Sequence, residues 1–333
     1  RRSRRRRERV GAVVTKIMQG IRILEVAEHT FVPAASALLA DWGAEVIKIE
    51  HVERGDAMRG LLSTGIGVMA TDVHVLLEHS NRGKKSIGLD LATNDGVQVL
   101  YEIAATCDVF LSNKMPSVRK KLKVDVADIR AANPDIIYVQ GSGQGPLGPD
   151  ADKGSYDVLS YWHRTGAALA VRWAGDDAIP PPPAPAFGDS IGAMTIAGGI
   201  MGALFHRERT GEATTVDVSL LGIGMWSMGA AMALSLQLGM PWGGMQRGMN
   251  MGNPLVNTYR TGDGRHVSLS CLQAGRYWAE LVTLVGRPDL ADDERFADAA
   301  GLRENAMAGV GLLGEVFAQR AAAEWREVLE PFS

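Results

Sequence analysis

The chain of 333 residues is 46% hydrophobic and 22% charged, with a formal net charge of −3, and is long enough for a substantial core and two domains. Its two cysteines, Cys107 and Cys271, lie far apart, which excludes a disulfide framework or a cysteine-built zinc site and fits a reducing cytoplasm. Removing the seven arginines and Glu8 of the opening RRSRRRRER leaves a formal −9, an acidic body that argues against nucleic acid as the main partner.

Residues 1–17 read as an exposed, unstructured tail, because a block of like charge has no apolar face to bury. From Gly20 the pattern alternates. IRILEVA (21–27) is a short apolar run suited to a buried strand, and PAASALLADWG (33–43) has helical spacing with Gly43 where a C-terminal cap belongs. EVIKIEHV (45–52), KSIGLDL (85–91), DVFLSN (108–113) and PDIIYVQGSG (134–143) read as further strands. Helices fall over 95–106 and over 124–133, the latter capped at or near Asp125. Strands separated by helices of this length predict an α/β domain built on a mostly parallel sheet with both faces covered.

The segment PPPPAPAFGDSIG (180–192) is a stiff arm that ends in a single carboxylate, Asp189, before an apolar helix over 190–211. With the helix starting at Ser190, Asp189 is its N-cap, where a helix N-terminus favours the ionised acid. TTVDVSLL (214–221) is a sixth strand. The uncharged run 218–246 has the length of a membrane span, yet it contains Ser219, Ser227, Ser235 and Gln237 and lacks flanking basic clusters. It reads as a helix buried in a domain or subunit interface, with no membrane span. A glycine-dense loop with Met240, Met245, Met249 and Met251 follows, then a strand-bearing arm at 262–272 and a mainly helical remainder. The expected organisation is a large domain over 18–221, a linker over 222–250 and a smaller α+β domain over 251–333.

Several chemistries are missing from the sequence. The first βα turn, EHTFVPAAS, has no glycine, so the dinucleotide fingerprint is absent, and there is no P-loop, HExxH pair or GxSxG elbow. The seven histidines are scattered, so neither a metal site nor a serine-type triad can be assembled. What remains is a set of loops in the order expected at strand ends. NRGKKS (81–86) can grip phosphates or be a solvated turn. NKMPSVRKKLK (113–123) is a second basic loop or an exposed helix face, and Tyr156 and Asp157 stand together in GSYD.

Taken in order, GIRILEVAEH with LLADWGAEVIKIEHVERGD (20–56), NRGKKSIGLDL (81–91), NPDIIYVQGSGQGPLGP (133–149), GSYD (154–157), FGDSIGAM with GIMGALFHRERTGEATTVDVSLL (187–221) and GDGRHVSLS with VGRPDLADDERFA (262–297) resemble the family III CoA-transferases over residues 19–333. The resemblance implies a Rossmann-like open parallel sheet in the large domain, a smaller α+β domain and an interlocked-ring dimer. It also implies transfer of CoA from an acyl-CoA to a carboxylic acid acceptor through an aspartyl-CoA thioester on Asp189. Tyr156 and Asp157 match a pair lining the thioester site, and Gly188, as a glycine beside the aspartate, is expected to allow close approach of a bulky thioester. Thr30, Phe31, His51, Asn81, Arg82, Gly83, Lys84, Asn113, Lys114 and Met115 match positions that hold CoA, and Gly243 and Gly244 match a loop over the active site. No tightly bound cofactor or metal is implied, because CoA itself is the carried substrate. The chain stops at VLEPFS, where the family's return segment would begin, so a related subunit is an alternative partner to a second copy. Two rival readings stand beside this one. The α-methylacyl-CoA racemases carry a GHD motif where this chain reads GSYD, and a tyrosine near pKa 10 is poorly matched to shuttling an α-proton. The other rival is a non-catalytic CoA-binding subunit.

Overall fold

A computed structural model describes residues 16–61, 72–173, 175–240 and 252–332. The chain divides into two compact units, residues 1–244 and 245–333.

The first unit alternates strand and helix: β1 (Arg22–Val26), α1 (Phe31–Asp41), β2 (Glu45–Glu50), α2 (Val75–Asn81), β3 (Lys85–Gly88), α3 (Asn94–Ala104), β4 (Val109–Ser112), α4 (Pro116–Lys121), α5 (Val126–Ala132) and β5 (Ile137–Ser142). A π-helical turn (Val158–His163), α6 (Ala167–Val171), α7 (Phe187–Thr210), β6 (Thr215–Ser219), α8 (Leu220–Ser227) and α9 (Gly229–Leu238) follow. All six strands are parallel, in the order β3-β2-β1-β4-β5-β6. The order reverses between β1 and β4, and ligands of such sheets bind beyond the carboxyl ends of the strands at that switch point. The apolar runs behave as expected of strands covered on both faces: β4 is wholly buried, and β1 is buried from Ile23 onward. Edge strand β3 is exposed throughout.

Two layers cover the sheet. On one side, Val32, Ala35 and Leu39 of α1 pack with Ile196, Ala197 and Ile200 of α7 over Ile23, Val109 and Val139. On the other, Leu100 and Ala104 of α3 and Ile129 of α5 pack over Leu24, Phe110 and Tyr138. Asp125 caps α5, its side chain and that of Asp128 forming a reciprocal capping box. α7 is long and apolar enough to cross a membrane, but its apolar face is the one buried in this core.

The second unit pairs β7 (Val256–Arg260) with β8 (His266–Ser270) as an antiparallel hairpin, followed by α10 (Ala274–Leu284), α11 (Ala299–Glu304), α12 (Ala306–Phe317) and α13 (Ala322–Leu329). Its core joins Tyr259, Trp278, Phe296, Phe317 and Trp325, with Trp278 and Trp325 donating their indole N–H groups to the carbonyls of Leu290 and Phe317.

Candidate active site

A cavity of about 450 Å³ opens at the switch point. Its walls come from three strand ends: Glu28 and His29 after β1, Asn113 to Met115 after β4, and Gln140 to Gly143 at the end of β5. Tyr156 and Asp189 also line it, with Arg54, Arg119 and Lys153 on its basic parts.

Helix α7 starts at Phe187, after Ala186 in the left-handed conformation, and has no side-chain cap. Asp189 is therefore the third residue of the helix, not its N-cap. Asp157 organises this helix start from outside. Its Oδ1 accepts the Val158 N–H at 2.8 Å, and its Oδ2 accepts the Gly188 N–H at 3.0 Å. Gly188 faces protein instead of open space, since a Cβ there would lie 2.7 Å from the Tyr161 side chain and 3.1 Å from that of Asp157. The expectation that Gly188 admits a bulky thioester is corrected accordingly. Asp157 does not line the cavity and acts as a positioning residue behind it.

Asp189 has no hydrogen-bond partner among the described residues. Burial, and then the charge of Asp157, push its carboxyl up to about 7. This reverses the expectation of an acid kept ionised by its helix: desolvation and a second carboxylate outweigh the helix N-terminus.

The glycine-free turn after β1 is held from several directions. The Ser112 hydroxyl donates to the Val26 carbonyl, and Lys48 Nζ donates to that of Ala27 at 2.9 Å. Asn113 takes the Glu28 N–H at 3.1 Å and returns its own amide to the Glu28 carbonyl at 2.7 Å. Asp56 Oδ1 accepts the His29 N–H at 3.0 Å. These bonds fix His29 at φ 67, a left-handed conformation usual for glycine. Beneath the turn lies a buried cluster of charges: Lys48 pairs with Glu25 and Asp56, and Lys84 with Glu25, each at 2.7 Å. Against the effect of burial, Glu25 and then Asp56 hold the Lys48 ammonium above its ordinary value.

Of the residues singled out from sequence, the structure brings Phe31, Asn113, Lys114, Met115, Tyr156 and Asp189 to the cavity. The Phe31 ring lies on Gly141 and Gly192, whose missing side chains make room for it. Lys114 is paired with Glu28 at 2.7 Å. Thr30 is buried at the start of α1, outside the cavity lining. His51 turns inward on its own loop, where its Nδ1 accepts the Glu53 N–H at 3.2 Å; Arg54 of the same turn lines the cavity instead. The loop Asn81 to Lys84 is not brought to the cavity. Arg82 pairs with Asp41, Asn81 donates to the Leu77 carbonyl, and Gly83 lies against Ala40. The Lys84 ammonium donates to Glu25, the Pro33 carbonyl and Asn81. Of the basic run read as a phosphate grip, Lys84 is here part of the internal ionic cluster, whereas Arg82 and Lys85 make surface pairs. Gly243 and Gly244 lie outside the described residues. Sequence reasoning missed His29 and Arg54; the signal for His29 was a histidine standing where a sharp turn ordinarily takes glycine.

The family model for CoA-transferase family III matches residues 18–333. The chain belongs to CoA-transferase family III. It is thus an enzyme of the CoA-transferase class. It is 28% identical to (R)-2-hydroxy-4-methylpentanoate CoA-transferase of Clostridioides difficile over 94% of this chain and 77% of that protein. It is also 28% identical to the α-methylacyl-CoA racemase of Mus musculus, over 94% of this chain and 75% of that one. Among solved structures, that of Rv3272 from M. tuberculosis superposes with a TM-score of 0.81 at 27% identity, covering 95% of this chain and 82% of that one.

Proposed function

We propose that this family III CoA-transferase moves CoA from an acyl-CoA to a free carboxylic acid through a covalent intermediate on Asp189. The observation that carries the reading is an unpartnered carboxylate at a cavity that also presents basic side chains. Ionised Asp189 attacks the thioester carbonyl, forming a mixed anhydride and expelling CoA thiolate. The thiolate attacks the aspartyl carbonyl, giving aspartyl-CoA thioester and releasing the first acid. The acceptor carboxylate then forms a second anhydride with Asp189 and frees the thiolate again. Attack of that thiolate on the new acyl carbonyl yields the product thioester and restores Asp189. One difficult exchange becomes several easier ones. Arg54, which has no partner among the described residues, and Lys114 are suited to CoA phosphates, with Glu28 yielding Lys114 on binding. No tightly bound cofactor is needed. The two thiols, both unpaired, agree with a reducing cytoplasm as its location.

The test is direct. After incubation with an acyl-CoA and trapping by hydroxylamine or borohydride, mass spectrometry is expected to find the modification on Asp189. CoA binding without any adduct at that residue would overturn the reading. The racemase alternative predicts solvent deuterium at the α-carbon with no acceptor acid present.

As partner we infer a second copy of the chain or a closely related subunit. α9 is apolar yet has no buried residue, and Trp226 of α8 and Leu236 of α9 are 89% and 85% exposed, more apolar surface in one region than a lone subunit ordinarily leaves to water. Sedimentation should show a dimer at micromolar concentration, with Trp226→Glu shifting it toward monomer. A wild-type monomer under those conditions would count against this.

A further inference from the structure

Most polar side chains of the cavity are engaged inside the protein. Lys114 holds Glu28, Gln140 bonds Asp217, Arg119 holds Asp125, and Lys153 holds Asp150. Besides Asp189 and Arg54, two further groups stand apart. Neither the His29 imidazole nor the Tyr156 hydroxyl has a hydrogen-bond partner among the described residues, although both side chains line the cavity. Their rings meet nearly perpendicular, with centroids 5.5 Å apart. Tyr156 adjoins Asp157, which bonds Gly188, the neighbour of Asp189, and both rings line the same cavity as Asp189.

His29 does not reach this place at its ease. A left-handed backbone at a non-glycine residue is strained, and persists where the surroundings over-determine it. Here the surroundings are the four bonded groups around the turn: Lys48, Asn113, Asp56 and Ser112. A turn built at such expense to deliver an imidazole with free hydrogen-bonding nitrogens points to a ligand for that imidazole.

We propose that His29, with Tyr156 across from it, selects an acyl group bearing a hydroxyl or similar hydrogen-bonding substituent close to the thioester carbon. The inference rests on the reading of Asp189 as the site of acyl transfer. A substituent of that kind gives both rings a partner when the thioester displaces water. A plain acyl chain leaves the partly buried His29 imidazole unpaired, which is the stronger source of discrimination.

The test needs no turnover. In the Asp189→Asn protein, equilibrium binding of 2-hydroxypropanoyl-CoA is compared with that of propanoyl-CoA by calorimetry. The hydroxylated thioester is expected to bind about tenfold tighter. Adding His29→Leu should bring the two affinities together by weakening the hydroxylated thioester alone. His29→Asn, which tolerates the left-handed backbone and keeps a hydrogen-bonding amide, should retain part of the preference. Equal affinities before the His29 change, equal weakening of both thioesters by His29→Leu, or no binding of either overturns the proposal; equal weakening would assign His29 to the CoA moiety. Because only binding is read, failure of covalent chemistry at Asp189 shows separately, in the wild-type trapping experiment. Thermal melts of His29→Gly are expected to match or exceed wild type, and a clear fall in Tm overturns the strain argument.

Discussion

Asp189→Asn is expected to abolish transfer, by at least about 10⁴-fold for loss of a covalent nucleophile, while making the protein more stable at neutral pH. The two effects share one cause. Folding buries Asp189 and sets it near Asp157, so its pKa rises from an ordinary 3.8 to about 7. Between those values the folded state holds a proton that the unfolded state has lost, so stability falls as pH rises through that window and stays lower above it. Asn never ionises and escapes the penalty. The shift bounds the gain at about 4 kcal/mol, and the remaining solvent access of the side chain brings the expectation down to about 1–2 kcal/mol above pH 7. Melts of the two proteins from pH 4 to 8 should diverge progressively as pH rises. Parallel curves would show that Asp189 ionises freely. The same titration governs rate: kcat/KM reports the free enzyme's essential groups, so in the wild type it should climb about tenfold per pH unit below about 7 and level off above it.

Lys48→Met should be the most damaging single change to stability in the first unit. Lys48 is almost wholly buried and neutralises Glu25 and Asp56 at once. Removing one partner of a buried pair leaves an uncompensated charge, a loss of about 3–5 kcal/mol, or a fall in Tm of roughly 10 °C for a unit of this size. It also removes the bond to the Ala27 carbonyl, so surviving protein should show weaker thioester binding through a loosened turn after β1. A Tm within about 2 °C of wild type would mean that water or Lys84 takes over the neutralisation.

The strands were legible because parallel strands covered on both faces read as unbroken apolar runs: IRILEVA, EVIKIEHV and DVFLSN each contain the observed strand. Their order was not. Nothing in local periodicity says that β4 lies beside β1, and the absence of glycine from EHTFVPAAS argued against one class of ligand while leaving the strand order open. The sequence singled out Asp189, which does line the cavity, but its setting was misjudged. Proline-rich chain followed by Ser190 imitates a cap, whereas the helix begins two residues before the aspartate because the Asp157 carboxylate takes up the Gly188 amide from a distant loop. NRGKKS misled for a related reason. Composition cannot distinguish a lysine held out to solvent from one folded beneath α1 onto Glu25. Arg54 and His29 escaped notice because a turn's backbone, not its residue types, decides which side chain it delivers.

One contact at the cavity carries its own consequence. The Phe31 ring occupies a notch left by Gly192, where a Cβ would come within 2.3 Å of it. The notch belongs to the same face of α7 that carries Ile196 and Ile200 into the core. Any side chain added at 192 must displace the ring, which itself lines the cavity. The shape of the cavity can thus be retuned from behind its wall, by a residue that is not part of the lining.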